Sequence, residues 1–290
     1  MDFGDSPEDP SGVTDTATDD SLEEAQSGPA SPDLRPTKLA RVIAVVNQKG
    51  GVGKTTTTIN LGAALALLDR RVLIVDLDPQ ANATSGIGLP RGRAASYELL
   101  VGDADVGSLL EKTEIAHLDI VPSAAELAGA EVELVGEVQR ESVLRRRIAS
   151  FASDYDYIFI DCPPSLGLIT LNALVAASSV LIPLQCEYYA LEGIGHLLNT
   201  LKLVQERLNP DLRIEGILLT MFDGRLNLSV QVAEDARRHF GSKVYATMIP
   251  RNVRLSEAPS FGKPIVLYDP ACTGAVSYIN LAKEVDSHER

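Results

Sequence analysis

The apolar, largely β-branched stretch Val42-Ile43-Ala44-Val45-Val46 gives way, two residues later, to Lys49-Gly50-Gly51-Val52-Gly53-Lys54-Thr55-Thr56. A buried strand that turns at once through glycines into a segment with Ile59, Ala63, Ala66 and Leu67 at helical spacing leaves few folds open. Small residues from Gly50 to Gly53 let backbone N–H groups turn inward around an anion without Cβ clashes, and the helix from Gly53 to about Asp69 adds its positive end. The loop suits ATP. Lys54 is placed to neutralise the β- and γ-phosphates and Thr55 to offer its hydroxyl to Mg²⁺. The pattern G-x-x-x-x-G-K-[ST] would put its first glycine at Gln48; Lys49 stands at the loop entrance instead. Since Lys54 serves bound ATP in cis, Lys49 is expected to reach across a dimer interface to a partner's phosphates, as an arginine finger does in trans. Lys49, Gly50, Gly51, Val52, Gly53, Lys54, Thr55 and Thr56 are therefore the expected phosphate contacts.

Strands are predicted at 41–47, 71–76, 118–122, 156–161, 179–184, 214–221 and 244–249, and helices at about 53–69, 137–152, 166–177, 189–208, 226–240 and 274–286. Near-continuous apolar strands such as Val72-Leu73-Ile74-Val75 and Ile158-Phe159-Ile160 imply burial on both faces. The expected fold class is α/β, a doubly wound, mostly parallel sheet with helices on both faces, with ligands at the carboxyl ends of the strands. Asp161 ends the run Tyr157 to Ile160 and has the position of a Walker-B carboxylate, holding Mg²⁺ opposite Thr55. Asp76 and Asp78 flank Leu77 after the second strand; the reading in which Asp78 only caps a turn is opposed by its place at a strand end facing the loop.

Four further runs carry a resemblance. Val75-Asp76-Leu77-Asp78-Pro79-Gln80 and Ile160-Asp161-Cys162-Pro163-Pro164-Ser165, with the lysine-glycine loop, resemble the deviant Walker A ATPases. Gln185 to Gly193 and Pro250-Arg251-Asn252-Val253-Arg254-Leu255-Ser256-Glu257-Ala258-Pro259-Ser260 are similar, more closely, to the ParA/Soj chromosome-partitioning ATPases, from about Arg41 to Val285. The resemblance implies that Asp78 positions or polarises the attacking water, with Lys49 and Lys54 as its catalytic companions, and that Asp76 supports the phosphate and Mg²⁺ region. It implies Pro250 and Asn252 as adenine contacts, and Arg225 and Arg254, with Arg251 and Lys263 as neighbours, as contacts to double-stranded DNA without sequence preference. Gly224 and Leu226 stand where family members often carry alanine and threonine. A homodimer formed on ATP binding, a ParB-type centromere-binding partner that stimulates hydrolysis, and a cytoplasmic, nucleoid-associated location complete what the family implies.

Charge fits this reading only if it is unevenly spread. The net charge is −14, but ten of the acids lie in residues 1–34 with no Lys or Arg among them, leaving 30 acids against 26 bases elsewhere. Residues 1–37 are expected to be a disordered acidic tail and 38–290 a single ATPase domain. The tail's charge suggests competition with DNA for a basic surface. No apolar run reaches membrane-spanning length, and no secretory h-region is present. Three cysteines without C-x-x-C spacing suit a reducing compartment, and four scattered histidines form no metal signature. The rival reading, a membrane-associated division-site ATPase of the MinD type, wants a basic amphipathic last helix. Residues 280–290 carry three acids against two bases. An iron-sulfur ATPase would need a second cysteine comparable to Cys162 in a switch segment, and none stands there.

Overall fold

The structure, a computed structural model, describes residues 39–188 and 190–287 of the 290. The acidic tail expected over residues 1–37 lies outside them. In chain order the elements are β1 (Arg41–Val45), α1 (Lys54–Ala66), β2 (Val72–Asp76), α2 (Asn82–Gly86), α3 (Ala95–Val101), β3 (Glu111–Lys112), β4 (Leu118–Val121), α4 (Leu127–Glu133) and α5 (Val143–Ala149). They continue with β5 (Tyr157–Asp161), α6 (Leu168–Ala176), β6 (Ser179–Gln185), α7 (Ala190–Arg207), β7 (Arg213–Thr220), α8 (Asn227–Phe240), α9 (Val253–Glu257), α10 (Ile265–Tyr268) and α11 (Thr273–Ser287).

One seven-stranded sheet has the order β3-β4-β2-β5-β1-β6-β7. Every pairing is parallel except that of the short edge strand β3 with β4. Alternation along the strands sorts the core into two layers. Val42, Ala44, Leu73, Val75, Ile158 and Ile160 face one side. Ile43, Val45, Val72, Ile74, Tyr157 and Phe159 face the other, against α1, α10 and α11. Both faces are covered, which is why these strands read as continuous apolar runs rather than alternating ones.

Register positions the chemistry. Val45 and Asp76 are each the Cα partner of Asp161, so the ends of β1, β2 and β5 finish side by side. The loop after β1 and the carboxylates after β2 and β5 thereby share one rim of the sheet, as expected in a doubly wound fold.

Two predicted elements differ. Residues 244–249 form no strand: only isolated bridges join Ile217 to Val244 and Phe222 to Pro250. The Ala246 and Thr247 amides turn away to donate to the Glu284 carboxylate, at 2.7 and 3.0 Å, so no ladder forms between the bridges. The helix expected over 137–152 starts later, as a 3₁₀ turn at Arg140–Ser142 followed by α5, because Gln139 takes the left-handed conformation (φ 56°). Helices α2, α3, α4, α9 and α10 and strand β3 had no sequence signal strong enough to predict them.

Candidate nucleotide site

α1 starts without a side-chain cap and without an acid in its first turn. Its first intrahelical bond runs from the Thr57 amide to the Gly53 carbonyl, so the amides of Lys54, Thr55 and Thr56 stay available at the positive end of the helix. Gly51 and Gly53 sit at φ 73° and 92°, where an L side chain would be strained. The loop is pinned from both sides. Thr220, at the end of β7, donates to the Val52 carbonyl at 2.8 Å, and Asn47 donates to Pro183 O at 2.7 Å while accepting from the Lys49 amide at 3.0 Å. These bonds preform a cradle whose inward groups are amides and one ammonium. Lys54 is buried, its Nζ donating to Lys49 O at 3.2 Å, and burial lowers its pKa against the opposing pull of Asp161.

Asp161 is fully buried. Its Oδ1 accepts from the Thr58 hydroxyl at 3.2 Å, and its Oδ2 has no hydrogen-bond partner among the described residues. Burial first, and the Asp76 charge second, push its pKa up to about 8; the Thr55 hydroxyl, close by but without hydrogen-bond geometry, and Lys54 oppose the rise. Asp76 is raised to about 6, again mainly by burial. Its oxygens are both engaged, Oδ1 by the Asp78 amide at 3.1 Å and Oδ2 by the Thr84 amide and hydroxyl at 2.9 and 2.7 Å. Asp76 therefore orders the loop that presents Asp78. Asp78 is 8% exposed and accepts from the Gln80 amide through Oδ1 at 3.0 Å.

A buried carboxylate oxygen without a partner, beside a threonine hydroxyl and a phosphate loop, fits a hydrated Mg²⁺. Asp161 and Thr55 would hold it, and it would neutralise charge between the phosphates. Among the described residues no three His, Cys, Asp or Glu side chains converge in metal-binding geometry, so water and phosphate would supply the remaining ligands.

Lys49 does not fold back into its own loop. Its Nζ pairs with Glu187 Oε2 at 2.8 Å, the two side chains being 46% and 44% exposed. Glu187 in turn accepts from Gln185 through its other oxygen. Of the expected adenine contacts, Asn252 caps α9 by accepting from the Arg254 amide at 2.8 Å and donates to Thr273 Oγ1 at 2.8 Å. Pro250 lies at the bridge to Phe222.

The Arg251 amide bonds to Phe222 O, which brings it near Arg225, whose guanidinium is 89% exposed and paired with Asp223. Those contacts hold the Asp223 carboxyl down at about 2. Arg254 pairs with Glu257 and Asp269. Lys263 lines a cleft of about 420 Å³ with Thr55, Asn60 and Arg91.

The AAA domain family matches residues 40–214. The sporulation initiation inhibitor protein Soj of Bacillus subtilis is 58% identical over 249 residues, 85% of this chain and 98% of that protein. The chromosome partitioning protein ParA of Myxococcus xanthus is 56% identical over 249 residues, 85% of this chain and 88% of that one. The chain belongs to the ParA/Soj family of chromosome-partitioning ATPases. Among solved structures, cobyrinic acid a,c-diamide synthase from Mycobacterium smegmatis with bound ATP analog and magnesium superposes with a TM-score of 0.76 at 39% identity, covering 86% of this chain and 96% of that one. The higher identity to Soj and ParA decides between the two names.

For this ParA-family ATPase, sequence reasoning missed the supporting shell. Thr58, Thr84 and Thr220 fix Asp161, Asp76 and the loop by hydrogen bonds across the sheet's rim. Only Thr58 had a signal, as the last of four consecutive threonines. Glu187 lies within the run Gln185 to Gly193, but its pairing with Lys49 joins residues 138 positions apart.

Proposed function

We propose that this ParA-family ATPase is a nucleotide switch for DNA segregation. ATP and Mg²⁺ bind at Gly50–Thr56 with Asp161, and two protomers close face to face so that Lys49 of each meets the other's triphosphate. Asp78 orients the attacking water, while Pro250 and Asn252 contact the base. Without an evident stronger base, intrinsic turnover is slow, and a ParB-type centromere-binding protein accelerates it. The ATP dimer binds nucleoid DNA through Arg225, Arg251, Arg254 and Lys263, and hydrolysis releases it. Pairing arginines from two protomers multiplies phosphate contacts, so a chain of net negative charge still binds DNA.

The observation that carries this reading is Lys49, a loop lysine that leaves the phosphate cradle to Lys54 and stands half exposed. Support against a membrane role comes from α11, whose Ala275, Tyr278, Leu281, Ala282 and Val285 are buried, committing its apolar face to the core. Among the described residues no helix is long and apolar enough to cross a membrane. The test is binding to a random-sequence duplex with ATP, with ADP and without nucleotide, at two salt concentrations, alongside Lys49→Ala. Binding that requires ATP, weakens with salt and vanishes in Lys49→Ala is expected. ATP binding with no DNA binding in any state would overturn the proposal and make anionic vesicles the next ligand to try.

A further inference from the structure

At the opposite rim of the sheet, where β1, β6 and β7 begin, lies a cleft of about 300 Å³ whose lining includes Arg213, Glu215, Ser242, Lys243, Tyr245 and Glu284. Its floor holds Tyr245, only 6% exposed, whose hydroxyl is buried with no hydrogen-bond partner among the described residues. The ring is seated there by design of the backbone: a Cβ on Gly216 would fall 2.3 Å from Tyr245 Cε2, so only glycine admits it. A buried phenol left unpaired is unfavourable and calls for a partner.

The two carboxylates of the cleft are already used. Glu215 accepts from Arg41 and from the Ser179 hydroxyl, and Glu284 accepts from the Ala246 and Thr247 amides. Among the described residues the charged ends of Arg213 and Lys243 have no ion pair or hydrogen bond, and the Ser242 hydroxyl has none either. What remains is two cations and two hydroxyls on residues that line one small space. More donors are free than a single carboxylate accepts, and a tetrahedral dianion satisfies them best.

We infer that this cleft is a second anion site, separate from the ATP loop, that takes one phosphate group, with Tyr245 as its buried donor and Arg213 and Lys243 as its charged clamp. A free phosphate and the phosphate of a small phosphorylated metabolite present the same chemistry. The two sites lie at opposite ends of β1, about 16 Å apart by strand rise alone.

The test uses the full chain saturated with Mg-ADP, so that the ATP loop is filled, and carrying ¹³C-tyrosine. Inorganic phosphate, glycerol phosphate and acetate are titrated separately against chloride at matched ionic strength. The Tyr245 ring resonance, identified by its loss in Tyr245→Phe, is expected to shift saturably with both phosphates, and the Arg213→Gln/Lys243→Gln variant to weaken that response at least tenfold. Saturation by inorganic phosphate alone would restrict the site to the free ion; saturation by glycerol phosphate as well would admit phosphorylated metabolites. A shift that only follows ionic strength, equal saturation by acetate, or a response unchanged in the double variant would overturn the inference. Thermal melts separate a folding defect from lost binding. Tyr245→Phe is expected to lose the phosphate-dependent rise in midpoint, whereas a midpoint higher by the same amount with and without phosphate would show that the hydroxyl has no ligand.

Discussion

Lys49 and Glu187 restrain each other across a half-exposed ion pair, a class of contact that contributes only about 0.2–1 kcal/mol. That is weak enough for a partner's triphosphate to displace Glu187, yet sufficient to keep Lys49 away from its own loop. Glu187→Gln is therefore expected to tighten dimerisation with a non-hydrolysable ATP analogue by about two- to fivefold, measured by sedimentation; unchanged or weaker dimers would count against it. The carboxyls behind the loop give a pH signature. Asp161, raised to about 8, and Asp76, raised to about 6, both titrate above their usual value of 3.8, so the folded chain holds protons that the unfolded chain has released. Their stabilising protonation is present at low pH and is lost as pH climbs from about 4 through about 6 and then about 8. Without nucleotide or Mg²⁺, the melting midpoint should fall from pH 6 to 8, and fall less in Asp161→Asn. Parallel curves for the two proteins would show that Asp161 is ionised throughout.

Elements here are set by what they can bury and by where their amides go. α11 packs on α1: Leu281 is fully buried, Tyr278 reaches Thr57 at 3.2 Å, and Arg70 grips Asp286 through two bonds of 2.8 and 2.9 Å. Since α1 also carries Lys54 and Thr55, loosening α11 should reach the ATP loop. Leu281→Ala is expected to cost about 2–5 kcal/mol in denaturant unfolding. A loss under about 1 kcal/mol would mean the two helices are not held by this contact. Helices α7, α8 and α11 were legible because each shows several turns of one apolar face, whereas α1 and α6 are apolar or buried nearly all round and were read from an apolar run of helical length. Helices α2 to α4, of five to seven residues, are too short to show a period. Residues 244–249 mimic a strand in composition, and the Tyr245 and Ile249 amides do reach β7 carbonyls, but Glu284, 37 to 38 residues away, takes the Ala246 and Thr247 amides between them.

Across the whole molecule, charge and function point to different regions. Ten acids lie in residues 1–34, whereas the arginines proposed to meet DNA are exposed around Asp223 and Glu257. If Arg225 and Arg251 of each protomer neutralise one phosphate apiece, replacing both with alanine should lower the slope of log affinity of the dimer against log salt by about 4. An unchanged slope would place DNA on another surface. The sequence alone determined the fold class, the phosphate loop and the three aspartates, because glycine spacing, a strand-loop-helix succession and apolar runs are local properties that survive without coordinates. Only the tertiary structure decided which side chains meet: Lys49 with Glu187, Thr220 with the loop, Asp161 with an empty-handed oxygen, and Tyr245 over Gly216. Those encounters depend on parallel strands brought together through crossovers, and pairings set by sheet order and register leave no trace in local spacing.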